Sequence, residues 1–238
     1  MPIVCAAVCP HPPLLIPAVA GGAAAELDNL RAACLTAIDQ LASADALVIV
    51  GSGPTTGLPY DVSAGATFAP YGAPDVRVGS GEPVLPLSLA VGAWLVEQSK
   101  AAALPRTSLT VASDETPTTC LTLGQQIAQG NYAGTGASSD DVALLVMGDG
   151  SARRSEHSPV HLHPRAELFD HTVAAAMHLA DTETLAALNP DLATELQAAG
   201  RAPWQVLAGA TSTAGLKGNL TYNAAPYGVG YFVATWRL

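Results

Sequence analysis

The 238-residue chain is 49% hydrophobic and only 13% charged, which gives ample material for a core and excludes a disordered or fibrous chain. Its formal charge is −10, ten basic residues against twenty acidic ones, so it repels a phosphate backbone and nucleic acid is excluded as a general partner. The length fits a single domain over residues 1–238.

The chain opens with an apolar run, Ile3 to Val8, that reads as a strand. No cationic segment precedes it, and Pro10, Pro12, Pro13 and Pro17 interrupt the apolar stretch that follows. No uninterrupted apolar stretch reaches the ~20 residues a membrane span requires, so no membrane is expected and the expected compartment is the cytoplasm. Cys5 and Cys9 share a face of this strand but stand about 13 Å apart, beyond the ~7 Å Cα limit for a disulfide. With Cys34 and Cys120 they read as small buried hydrophobes in a reducing compartment.

Residues 23–43 place Leu27, Leu30, Cys34, Ile38 and Leu41 at helical spacing. A second apolar strand follows from Ala46 to Val50, and the proline- and glycine-rich stretch 52–86 reads mostly as loop. Residues 87–103 predict a helix ending before Pro105, and Asp114–Pro117 an acidic turn with a capping use. Val142 to Met147 is a third strand. Helices are predicted over 165–180, from a restart at Asp181, from Asn189-Pro190 to Gly200, and from Pro203 to about Thr213. Tyr227 to Trp236 reads as a closing strand. Short continuous apolar strands separated by helices define an α/β domain with its sheet covered on both faces.

Ligands in open α/β sheets bind beyond the carboxyl ends of the strands, which here are three loops. His11 is fixed between Pro10 and Pro12, which suits a metal ligand, an acid/base or a loop cap. The loops Gly51–Pro54 and Gly148–Ser151 each pair glycines with a serine, Ser52 or Ser151. They are either tight strand-to-helix turns or nests of inward N–H groups for an anion. Asp149 is a loop brace or a site residue. From Asp149 to Arg165 the chain concentrates Arg153, Arg154 and Arg165 with His157, His161 and His163, a cationic island suited to a carboxylate or phosphate. His161 and His163 could chelate a metal if that segment is extended. His171 and His178 read as surface or packing residues.

Four segments in this order, AAVCPHPPLLIPAV, ALVIVGSGP, VMGDGSARR and APYGVGYFVA, resemble the catalytic subunits of the class III extradiol ring-cleavage dioxygenases, a superfamily that includes Memo-like proteins. The resemblance spans nearly the whole chain. It implies a three-layer α/β/α sandwich around a mostly parallel or mixed sheet, and Fe(II) held by two histidines and a carboxylate with positions open for a catechol and dioxygen. His11 matches the first histidine. Gly53 stands at the second, Ala152 where the acid/base histidine follows Gly-Asp-x-Ser, and no acid lies in Gly200–Trp204, the nearest being Glu195. The resemblance therefore implies a relative that has lost most iron ligands. No cofactor is expected, and Fe(II) or another divalent metal only if the family chemistry survives. The expected partner is a small anionic or aromatic molecule, bound without ring cleavage by His11, Ser52, Asp149, Ser151, Arg153 and Arg154. Two alternatives stay open: a metalloenzyme using His11 with the 157–163 histidines, and a non-catalytic subunit or homodimer.

Overall fold

The computed structural model describes residues 3–132 and 141–238. Four strands run parallel: β1 (Ile3–Cys9), β2 (Ala46–Gly53), β6 (Arg106–Ala112) and β7 (Val142–Met147). β9 (Tyr231–Arg237) lies antiparallel against β1, and β8 (Lys217–Ala224) antiparallel against β9 at one edge. The two-residue β3 (Pro59–Tyr60) closes the other edge on β6, giving the order β3-β6-β2-β7-β1-β9-β8. β4 (Ala66–Phe68) and β5 (Ala73–Val78) form a separate antiparallel pair.

Side chains alternate along a strand, so each central strand feeds two apolar layers. Cys5, Ala7, Cys9, Leu47, Ile49, Leu145 and Met147 pack to one side, on α2 (Asp28–Asp39) and α3 (Leu87–Glu97), with the short α1 (Pro17–Ala20) beyond. Ala6, Val8, Val48, Val50, Leu144 and Val146 pack to the other. There they meet α4 (Pro117–Ala128), α5 (Ala166–Leu179), α6 (Thr182–Ala186), α7 (Pro190–Glu195) and α8 (Arg201–Thr211). This is the expected α/β/α sandwich, and burial on both faces is why the strands read as unbroken apolar runs. Among the described residues no helix is long and apolar enough to cross a membrane. All four cysteines are buried and free.

Several boundaries differ from the sequence reading. The helix predicted over 23–43 is a 3-10 segment (Gly21–Leu27), α2 and a second 3-10 turn (Gln40–Ser43). The one over 87–103 ends at Glu97, because the Ser99 hydroxyl accepts the Ala101 N–H and starts a separate turn. The stretch 52–86 holds β3, β4 and β5 rather than loop alone. The closing strand starts at Tyr231, after a turn at Gly228 with φ 74°. The 114–117 turn does cap a helix: the Thr116 hydroxyl accepts the Thr119 N–H, with Pro117 in the first turn of α4. β6, α4 and β8 had no counterpart in the sequence reading.

α4 and α8 cross through two glycines. A Cβ on Gly124 would strike the Val206 carbonyl, and one on Gly209 the Leu121 carbonyl. Backbone on both sides cannot rotate away as a side chain can, so Gly209→Ala is expected to cost about 2 kcal/mol or more. A urea unfolding midpoint indistinguishable from the parent's would show that the crossing is looser than this.

Candidate functional site

The loop after β1 leads to α1 and α2 in one layer, and the loop after the adjacent β7 leads to α5 in the other. The two loops stand side by side at the carboxyl ends of adjacent strands, the region where α/β sheets place ligands. His11 lies on the first and Asp149 on the second. The backbone N–H of His11 donates to Asp149 Oδ1 at 2.8 Å, which ties the two loops together. His11 is 7% exposed, and its Nδ1 lies 3.7 Å from the same Asp149 oxygen, just beyond hydrogen-bond reach. Nδ1 is sealed from solvent and has no hydrogen-bond partner. The Tyr231 phenol is held above its ordinary range, by burial first and then by the Asp149 carboxylate and the Tyr227 and Tyr222 phenols.

The other predicted site residues are engaged elsewhere. The Ser151 hydroxyl donates to the Leu196 carbonyl at 3.2 Å and accepts the Arg153 N–H at 3.1 Å. Arg153 donates to the carbonyls of His161 and Glu195, both at 2.9 Å. Arg154 donates to Asp170 Oδ2 at 2.9 Å, and Arg165 pairs with Glu195. Ser52 lies at the end of β2, and its carbonyl accepts the Ser88 hydroxyl at 2.6 Å. Arg154 and Arg165 are thus paired with carboxylates and Arg153 with carbonyls, and the three guanidinium groups brace the 151–165 loop.

The histidines of that loop do not join His11. The two ring nitrogens of His163 are both engaged, Nε2 with Glu195 Oε1 at 2.9 Å and Nδ1 accepting the Arg165 N–H at 3.2 Å. His157 and His161 are exposed. Among the described residues no group of three His, Cys, Asp or Glu side chains could hold a metal ion. Gly53 lacks a ligating group and has no room for one, since an added Cβ would strike the Thr110 side chain. Glu195 is occupied by Arg165 and His163. The residues present therefore do not fit an iron held by two imidazoles and a carboxylate.

Two functional groups escaped the sequence reading. Asp170, 1% exposed, accepts both the Ser151 N–H at 2.8 Å and Arg154, and the backbone at Gly150 and Gly230 closes over it with no room for a Cβ. Burial raises its pKa, while the Ser151 N–H and Arg154 pull it back. The signal was its place on the apolar stripe of α5, in step with Ala166, Val173 and Met177. Arg201, also 1% exposed, donates to the carbonyls of Ser113 and Glu115, both at 2.6 Å, and to Gln205 Oε1 at 3.0 Å. It likewise sits on a buried helix face, one turn before Gln205.

The fold is similar to the crystal structure of an uncharacterized protein from Escherichia coli K12, with a TM-score of 0.56 and 14% identity over 98% of this chain and 99% of that one. At that identity the likeness shows the fold alone. No protein-family model matches the chain, and no curated protein matches it.

Proposed function

We propose that the protein binds a small aromatic, hydrogen-bonding molecule at the adjoining carboxyl ends of β1 and β7, anchored by His11 and Asp149. On this reading it does so without the iron-dependent ring cleavage of the class III extradiol dioxygenases it resembles. The observation that carries the reading is the buried His11 imidazole, its Nδ1 turned to Asp149 without a protein partner. A buried polar group left unpaired costs about 1–3 kcal/mol, so such groups mark places where something else supplies the partner. Where the two loops part, a phenolic hydroxyl donating to Nδ1 would supply the missing partner beside Asp149. The engagement of Arg153, Arg154 and Arg165 within the protein argues against an anionic ligand, and the family resemblance favours an aromatic one.

Protein prepared anaerobically with added iron is expected to carry far less than one iron per chain. Catechol titrated into it should shift the amide resonances of His11 and Asp149, and His11→Ala should weaken its binding roughly tenfold, the equivalent of one hydrogen bond of about 1.4 kcal/mol. Stoichiometric iron, or catechol binding indifferent to His11→Ala, would overturn the reading.

A further inference from the structure

The outward side of α5 is not polar, as the solvent side of a surface helix usually is. Leu168, Thr172, Ala175 and Leu179 recur at spacings of four, three and four residues. At about 100° per residue they form a stripe about 60° wide, away from the buried Phe169, Val173 and Met177. Leu168 is 68% and Leu179 69% exposed, more than any other large apolar side chain among the described residues except the terminal Leu238. The Thr172 hydroxyl donates to the Leu168 carbonyl at 2.9 Å, so its one proton is spent within the helix.

At its Leu168 end the stripe borders a cavity of about 340 Å³ between α5 and the α6–α7 segment, walled by Leu168, Phe169, Ala187, Leu188 and Leu192. The polar side chains around it are already bonded within the protein: Arg165 to Glu195, Thr184 to Asp181, and Asn189 to the Leu192 N–H. Such an opening suits hydrocarbon rather than a hydrogen-bonding group. Leu179 projects at the other end of the same stripe, about 16 Å along the axis. A projecting leucine and an apolar opening on one helix are self-complementary, the condition for a two-fold contact in which each copy gives and receives the same group.

We infer that the protein forms a symmetric homodimer through α5, with Leu179 of each copy seated in the other's cavity between α5 and the α6–α7 segment. An antiparallel pair about a two-fold axis at the middle of the stripe sets each Leu179 level with the other copy's Leu168. It also sets Ala175 opposite Thr172, small side chains that let the helices approach closely. The flank that carries Glu167 in the first turn carries His178 in the last, so the same arrangement brings a carboxylate and an imidazole within one turn of each other. An unrelated partner would need only the opening, whereas a second leucine at the matching distance selects a second copy. The interface is independent of the ligand reading, since it uses neither His11 nor Asp149. One four-turn helix and its rim are a footprint at the small end of stable interfaces, so a Kd of about 1–10 μM is expected. With a charge of −10 on each copy, added salt should tighten the dimer by screening their repulsion.

Sedimentation velocity of the full chain, at concentrations spanning that Kd, should show monomer giving way to dimer. Leu179→Arg should raise Kd by about tenfold or more. Its urea unfolding, followed below the Kd, should match the parent's, because this side chain is exposed in the monomer. The register has its own readout. Leu168→Cys and Leu179→Cys chains, mixed and oxidised with diamide, should cross-link to each other. Neither should cross-link to itself, since like positions stand about 16 Å apart across the axis, and the four native cysteines are buried. A monomer at every concentration, whether or not its cavity takes up an apolar dye, would rule the interface out. So would a dimer indifferent to Leu179→Arg, or cross-linking of either variant with itself but not with the other.

Discussion

Replacing Arg201 with methionine is expected to destabilise the fold by about 3 kcal/mol. Methionine keeps the packing of the aliphatic stem but leaves the Ser113 and Glu115 carbonyls and the Gln205 amide oxygen without their donor. An orphaned buried acceptor costs about 1–3 kcal/mol. The two loop carbonyls are only partly buried, and water can reach them if the loop moves. That relief, and the loss of a desolvated cation, keep the sum well below three full penalties. Arg201→Lys is the sharper comparison. Lysine restores the charge, but its ammonium is a compact point that cannot reach three acceptors set around a planar fork. If geometry is what matters, Lys will be no better than Met in urea unfolding. Full recovery with Lys would mean that charge alone holds the 113–116 loop, and a loss under 1 kcal/mol with Met would mean that the loop needs no such anchor.

The central strands were legible because both faces of β1, β2 and β7 are buried, which removes polar residues from them almost entirely. β6 lies next to the edge, covered there only by the two-residue β3, and it places Thr107, Ser108 and Thr110 in buried positions; that polarity hid it. β8 was hidden for the opposite reason: at the sheet edge only every second residue is half-buried, and its sequence, KGNLTYNA, reads as loop. At the site, His11 and Asp149 were legible because each follows a strand that was. The cationic island was visible as a count of charges and misleading as a function. Its partners are invisible in the local sequence: Glu195 lies thirty residues beyond Arg165, and Asp170 is embedded in the helix that follows. Charge density along a chain reports what must be neutralised, not by what.

Asp170→Ala is expected to cost about 3 kcal/mol and to loosen the loop from Gly150 to His163. Two donors lose their acceptor together, the Ser151 N–H and Arg154 Nη1, and the latter belongs to a largely buried cation left without its main partner. The Glu167 carboxylate, 4.0 Å from Arg154 and exposed, is a weak substitute. Limited proteolysis should therefore cut the variant within 150–163 well before the parent. The pH dependence has a definite sign. Burial raises the Asp170 pKa, so the folded protein holds this proton more readily than the unfolded chain does. The stability the carboxyl contributes is complete at the acid end and declines as pH climbs from the ordinary carboxylate range through the raised value. The gap between parent and Asp170→Ala should narrow across that window and be flat above it. A gap that widens with rising pH there would mean that Arg154 outweighs burial and that the ion pair, not the packing of Gly150 and Gly230 around a neutralisable group, dominates this brace. Removing Arg154 as well separates the two: if the pair dominates, Arg154→Met in the Asp170→Ala background costs little beyond the first change, because both substitutions delete one interaction.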